Sequence, residues 1–256
     1  MTRGWRLTGA QWALLAEDLR HTDYPPPLRV TTRIRSAAAR SRVRDELEAG
    51  GTMRSGRVDA DLESALRLLY RPALWLDSLW LPDATAERPV RLLAAQSGRS
   101  GVCAVQHPGR QGTTLVEFIP AGGLGVAVVA RLPAARPGRK PAATVPPDDP
   151  RARADGEEPG SVLVSGEAPI ARPANGRAAA AEIIGAPHTR AGQIAGNVRD
   201  PSGTVRRSPL LRWYDNEGDG RYQASLTSRG WLEVAPADAQ RLGQAADRLL
   251  AFLTRD

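Results

Sequence analysis

Several residue types are nearly missing from this 256-residue chain, and each shortage excludes something. Cys103 is the only cysteine, so no intrachain disulfide can form. It sits in the apolar run Val-Cys-Ala-Val-Gln, the setting of a buried structural thiol rather than a nucleophile. The three histidines, His21, His107 and His188, stand apart from cysteine and carboxylate at ligand spacing, so no zinc or iron site is expected. No apolar run approaches the roughly 18–20 residues of a membrane-crossing helix. The opening residues, MTRGWRLTGAQW, lack the apolar core of a signal peptide. Both shortages point to a cytoplasmic protein with no membrane insertion. Lysine is scarce too: Lys140 is the only one among 35 basic side chains. A formal net charge of +7 and a sequence pI of about 10.5 suggest an acidic partner such as nucleic acid. Arginine used almost exclusively, beside abundant alanine, glycine and proline, reads first as a GC-rich coding bias.

Catalytic signatures are equally sparse. The glycines around Gly98–Gly101 and Gly109–Gly112 lack the lysine and spacing of a phosphate-binding loop. Gly122-Gly123-Leu124-Gly125 does not match a dinucleotide fingerprint, and no Gly-x-Ser-x-Gly elbow occurs. Asp215-Asn216-Glu217-Gly218-Asp219-Gly220 resembles the start of a calcium loop. Its twelfth position is Leu226, where an acidic ligand is required, so a solvated hairpin turn is the better reading. Glu117 and Glu233 are the tempting carboxylate pair and read as structural. No catalytic residue, cofactor, metal or small-molecule substrate is expected.

What the chain does contain is regular patterning. Thr8 and Gln11 have capping-box spacing ahead of a helix that aligns Trp12, Leu15 and Leu19. Three prolines at 25–27 stop it and start an extended Leu-Arg-Val. A basic helix is expected over 34–48, closed by Gly50-Gly51, and a better amphipathic one over 59–70. Strands are expected at 73–81, 90–96, 101–106 and 113–119, and a glycine-weakened helix runs on to Leu132. Trp75 and Trp80 fall on opposite faces of their strand, five positions being odd in a period of two. From Ala191 to Leu253 come strand-like segments, a hairpin turn at 215–220, and a helix starting at Pro236 whose Leu242, Ala245, Ala246, Leu249 and Leu253 share a face.

The two ends of this pattern repeat. Leu115-Val116-Glu117-Phe118-Ile119-Pro120 matches Trp231-Leu232-Glu233-Val234-Ala235-Pro236 at constant offset. Upstream, a helix, a proline, a strand and a hairpin recur in the same order, 61–106 against 177–226. Two related halves, about 1–132 and 177–256, would then join strands into one large sheet about an approximate two-fold axis. Between them, 133–176 is dense in proline, glycine and charge and reads as a linker, with Ser161–Val164 as a brief strand at most.

The order of several short motifs resembles a known family. These are Leu7-Thr8 with Trp12, Pro27-Leu28-Arg29-Val30, a helix ending Leu-x-Arg-Pro, and Ala186-Pro187 with Thr189 and Ala191-Gly192-Gln193. Val198-Arg199-Asp200, Asp219-Gly220-Arg221-Tyr222, and Trp231 ahead of Pro236-Ala237-Asp238 complete the series. Together they are similar to the EspG family associated with type VII (ESX) secretion in actinobacteria. That resemblance implies an α+β fold: a large twisted antiparallel β-sheet with helical bundles and quasi-two-fold symmetry. It also implies a non-enzymatic chaperone that binds a helical secreted substrate, PPE-like or WXG100-like, and is a monomer or homodimer when free. The loop 81–89 and the helices near 178–184 and 239–253 would form the contact surface. The candidate partner-binding residues are Leu81, Asp83, Thr85, Glu87 and Arg88 in the loop, Trp213 and Tyr222 in the aromatic hairpin, and Leu242 and Leu249 on the last helix. The rival reading is a nucleic-acid-binding protein using the arginine-rich helix 33–48.

Overall fold

The structure, a computed structural model, describes residues 3–21, 24–29, 32–109, 113–147 and 173–254. Thr8 accepts from the backbone of Gln11 and Gln11 returns the bond, so the capping box opens α1 (Gly9–Asp18), after a short strand β1 (Gly4–Leu7). Ser36 caps α2 (Ala37–Ala49), which starts a turn later than its basic pattern implied. A small hairpin, β2 (Met53–Arg54) and β3 (Arg57–Val58), leads to α3 (Ala60–Tyr70), capped by Asp59. The expected strands follow as β4 (Leu74–Leu81), β5 (Val90–Ser97), β6 (Ser100–Gln106) and β7 (Thr114–Ile119). Of the extended segment after the prolines, the described residues Leu28 and Arg29 form no strand; Leu28 is buried, and Gln106 holds the backbone of Arg29 through both its amide nitrogen and its oxygen.

Helix α4 (Leu124–Val129) is only six residues long, as its glycines forewarned. Beyond it lies β8 (Ala143–Val145), a strand inside the segment read as linker. The remaining elements are α5 (Pro173–Ile184), β9 (His188–Arg199), β10 (Val205–Arg207), β11 (Leu211–Asn216), β12 (Arg221–Leu226), β13 (Leu232–Pro236) and α6 (Ala239–Leu253). Pro236 does not start the last helix. It ends β13, paired with Tyr222, and Asp238 is the cap, accepting from the backbone of Arg241. The brief strand read at 161–164 lies outside the described residues.

Eleven strands form one antiparallel sheet, in the order β1-β7-β6-β5-β4-β9-β11-β12-β13-β8, with β10 on β9. From the central β4–β9 pair the two wings run outward alike, each through four further strands. Helices cover both faces, and that decides where apolar residues go. On one face α4 and α6 lie over Leu76, Trp80, Leu92, Val105, Ile194 and Trp213. On the other, α1, α2 and α3 cover Leu93, Val102 and Val116, and α5 covers Tyr222, Ala224 and Val234. Trp75 and Trp80 do part company, Trp75 under α3 and Trp80 under α6. Where α4 and α6 cross, a Cβ on Gly125 would stand 2.3 Å from the carbonyl oxygen of Gly243, so no side chain fits there. Asp247 of α6 ties the crossing by accepting from the Gly125 amide.

Candidate protein-docking surface

The candidate residues of the 81–89 loop sit together and in the open. Leu81 ends β4 37% exposed, a large apolar side chain facing solvent. Asp83, Thr85, Glu87 and Arg88 are all exposed. The loop is built, not slack: Asp83 Oδ1 accepts from both the backbone and the hydroxyl of Thr85, at 2.9 and 2.7 Å. Those bonds, the hydroxyl first, hold the Asp83 carboxyl below its ordinary pKa. Such an Asx turn presents the flanking side chains in one arrangement.

Beside the loop lies an open hollow of about 360 Å³, with Leu79, Leu81, Pro89, Gln193, Arg212 and Tyr214 on its walls. Behind it, Gly192 leaves room for Trp80 and Trp213 to pack beneath α6. A Cβ there would meet Trp80 at 2.6 Å and Trp213 at 2.7 Å. The β11–β12 turn closes the same end of the sheet. Asp215 takes Nε and Nη2 of Arg221 at 2.7 and 2.9 Å, and Nε of Arg190 at 3.0 Å. Arg221 is 2% exposed, lies over the Trp213 ring, and donates to the Pro133 carbonyl. Asp219 accepts from the Tyr222 hydroxyl and from Arg139, which pull its pKa down. The turn read as solvated is therefore an anchor. It binds the stretch 133–140, and β8 then pairs with β13, so this part of the presumed linker is packed. The packing was invisible in composition because main-chain bonds and the buried Arg221 hold the stretch, and its apolar contribution is small, Ala143 and Val145 against the α5 cluster.

Three candidates are misplaced. Trp213, Tyr222 and Leu242 are fully buried, Trp213 and Leu242 between sheet and α6, Tyr222 beneath α5. Their side chains are covered by the protein itself and form core rather than surface. Leu249 is half-buried, and it packs at Gly196 rather than near the loop. Patterning had missed the exposed apolar side chains at the other end of the second wing: Leu226, Trp231 and Phe252, 52%, 40% and 53% exposed. Phe252 stood three residues past Leu249, which is the one signal that might have flagged it. Much of the arginine is committed internally: Arg40 and Arg44 of α2 pair with Glu17 and Asp18 of α1, and Arg207 grips both oxygens of Asp77. A free basic helix for phosphate contact is thereby reduced. Among the described residues no cluster suits a metal ion, and no helix is long and apolar enough to cross a membrane.

A wide antiparallel sheet, helices on both faces, and a rigid apolar-edged hollow at one end define an α+β scaffold of the protein-docking class. The comparisons narrow the class. The model of the EspG family matches residues 8–248, and the chain belongs to that family. Its fold is shared with EspG5, the type VII secretion system chaperone of Mycobacterium tuberculosis, solved in complex with a PE25-PPE41 dimer. The two agree with a TM-score of 0.67 over 97% of this chain and 96% of that one, at 16% identity. No curated protein matches the chain by sequence.

Proposed function

We propose that this chain is a cytoplasmic, non-enzymatic secretion chaperone that binds a helical PE/PPE-type substrate and keeps it soluble for type VII export. One observation carries the reading: the EspG family match extends over 8–248, and the same fold in EspG5 was solved on a PE25-PPE41 dimer. The client surface is the loop 81–89 with the hollow beside it. A client whose helical tip exposes apolar side chains would cover Leu81 and fill the hollow beside Tyr214, removing apolar area from water on both partners. The rigid Asx turn at Asp83 lowers the ordering cost of that contact. The halves 1–132 and 177–256 are read as a duplication about a quasi-two-fold axis, supported by the matching strand order of the two wings.

The test is co-expression with helical secretion substrates encoded beside it. A client should co-purify as a stable complex and precipitate without the chaperone. Leu81→Ser combined with Arg88→Glu should lose the complex while the chaperone stays folded. If every such substrate is equally soluble alone and none co-purifies, the proposal fails.

A further inference from the structure

On the second wing a second recess opens, a groove of about 230 Å³. Leu249 and Phe252 of α6 form one wall, Leu226 the other, and Gln223 and Glu233 line the floor. It opens on the other face of the sheet from the hollow: Gln223 of the groove stands opposite Trp213, on the face covered by α6, whereas Tyr214 of the hollow lies on the face covered by α5. The volume is below the roughly 300–1,000 Å³ of drug-sized ligand sites and suits one or two anchoring side chains.

The floor is what selects a partner. Gln223 is 4% exposed, and its Oε1 has no hydrogen-bond partner among the described residues. Buried carbonyl oxygens are normally satisfied. Glu233 makes no ion pair among the described residues, although it sits on a strand placed as β7 is in the other wing. There Glu117 stands opposite Cys103 of β6, as Glu233 stands opposite Ser225 of β12. Glu117 is neutralised by Arg131, which also donates to the Ala127 carbonyl. At the same offset that relates the two glutamates, the place of Arg131 is taken by Asp247, already bonded to Gly125. Arg248 lies on the groove wall and pairs with no carboxylate among the described residues. The groove therefore has two acceptors and, among the described residues, no donor bound to either.

We propose that this groove is a second docking site, for a polypeptide segment carrying one arginine, or a lysine in its place, flanked by bulky apolar side chains. The guanidinium would occupy the position Arg131 holds in the first wing, giving one N–H to Gln223 Oε1 and others to the Glu233 carboxylate. The flanking apolar side chains would cover Leu226 and Phe252. The site does not depend on the chaperone reading, because it lies on the other face of the sheet.

Hexylguanidinium is a minimal probe of this chemistry, with hexanoate and hexanol as controls. Titrated into the full chain and followed by NMR at the Gln223 amide and the Leu226 methyls, hexylguanidinium should give saturable shifts. Hexanoate and hexanol should bind at least tenfold more weakly. Glu233→Gln should weaken the guanidinium at least tenfold, and Phe252→Ser should weaken all three probes. Equal binding of hexanoate or hexanol would make the groove merely apolar and overturn the proposal, as would a Glu233→Gln variant that keeps full affinity. Leu81→Ser should leave hexylguanidinium binding unchanged. A native chain that takes the probe but binds no helical client refutes the chaperone reading alone, and one that binds a client but not the probe refutes this one alone.

Discussion

Asp215→Asn removes one charge and no volume from the place where β9, β11 and β12 are tied together. In the native protein both carboxylate oxygens are engaged, by Arg221 in a two-pronged pair and by Arg190. Arg221 is almost fully enclosed, so its charge has no water to turn to when the carboxylate is gone. Breaking a buried pair from one side costs about 3–5 kcal/mol, against about 0–1 kcal/mol for an exposed bridge. For a chain of this size each kcal/mol moves the melting point by about 2–4 °C, so a drop of roughly 10 °C is expected. Calorimetry and urea unfolding of the purified variant would measure it. The double variant Asp215→Leu with Arg221→Met should recover most of the loss, because two apolar groups of similar volume replace the pair. A loss below about 1 kcal/mol in Asp215→Asn would show that the pair is solvated and refute the anchoring role given to the turn.

Three further outcomes follow from single contacts. Burial pushes the Cys103 thiol up to about 12, so the native protein should resist a thiol-labelling reagent at neutral pH and react only when denaturant opens it; rapid native labelling would place the β5–β6 core in exchange. Gly125→Ala puts a methyl against the Gly243 carbonyl and should cost about 1–3 kcal/mol in urea unfolding, whereas an unchanged midpoint would mean that α4 and α6 are free to separate. The Tyr222 hydroxyl and Arg139 depress the Asp219 pKa, so its folded form holds its proton less tightly than the unfolded chain and contributes stability above the ordinary carboxylate range. That contribution should disappear as pH falls below about 4, and Asp219→Asn should flatten the acid limb of the stability curve; identical limbs in both proteins would remove it.

Local chemistry was legible wherever the signal was short-range. The capping box at Thr8, the caps and stripe of α3, the β5–β6 turn at Gly98 and the apolar face of α6 all lie within a few residues of each other in the chain. The site was only half legible. The loop candidates from Leu81 to Arg88 came from the resemblance to the EspG family rather than from a pattern in the residues themselves. Trp213, Tyr222 and Leu242 were misread as contact residues because aromatic and apolar side chains look alike whether a helix or a partner covers them. The same limit hid β8, three residues whose strand character comes from pairing with β13 rather than from their own pattern.

By itself the amino-acid sequence determined which segments alternate and which coil, since periodicity and turn residues act over a few bonds. The tertiary structure alone decided which face each strand buries, because helices from distant parts of the chain cover both sides of one sheet. It also decided that Asp215 is an anchor beside two arginines, that one glutamate of the repeated pair is neutralised and the other is not, and that the hollow and the groove open on opposite faces. Each of these depends on groups far apart in sequence brought within a few ångströms, which local patterning cannot encode.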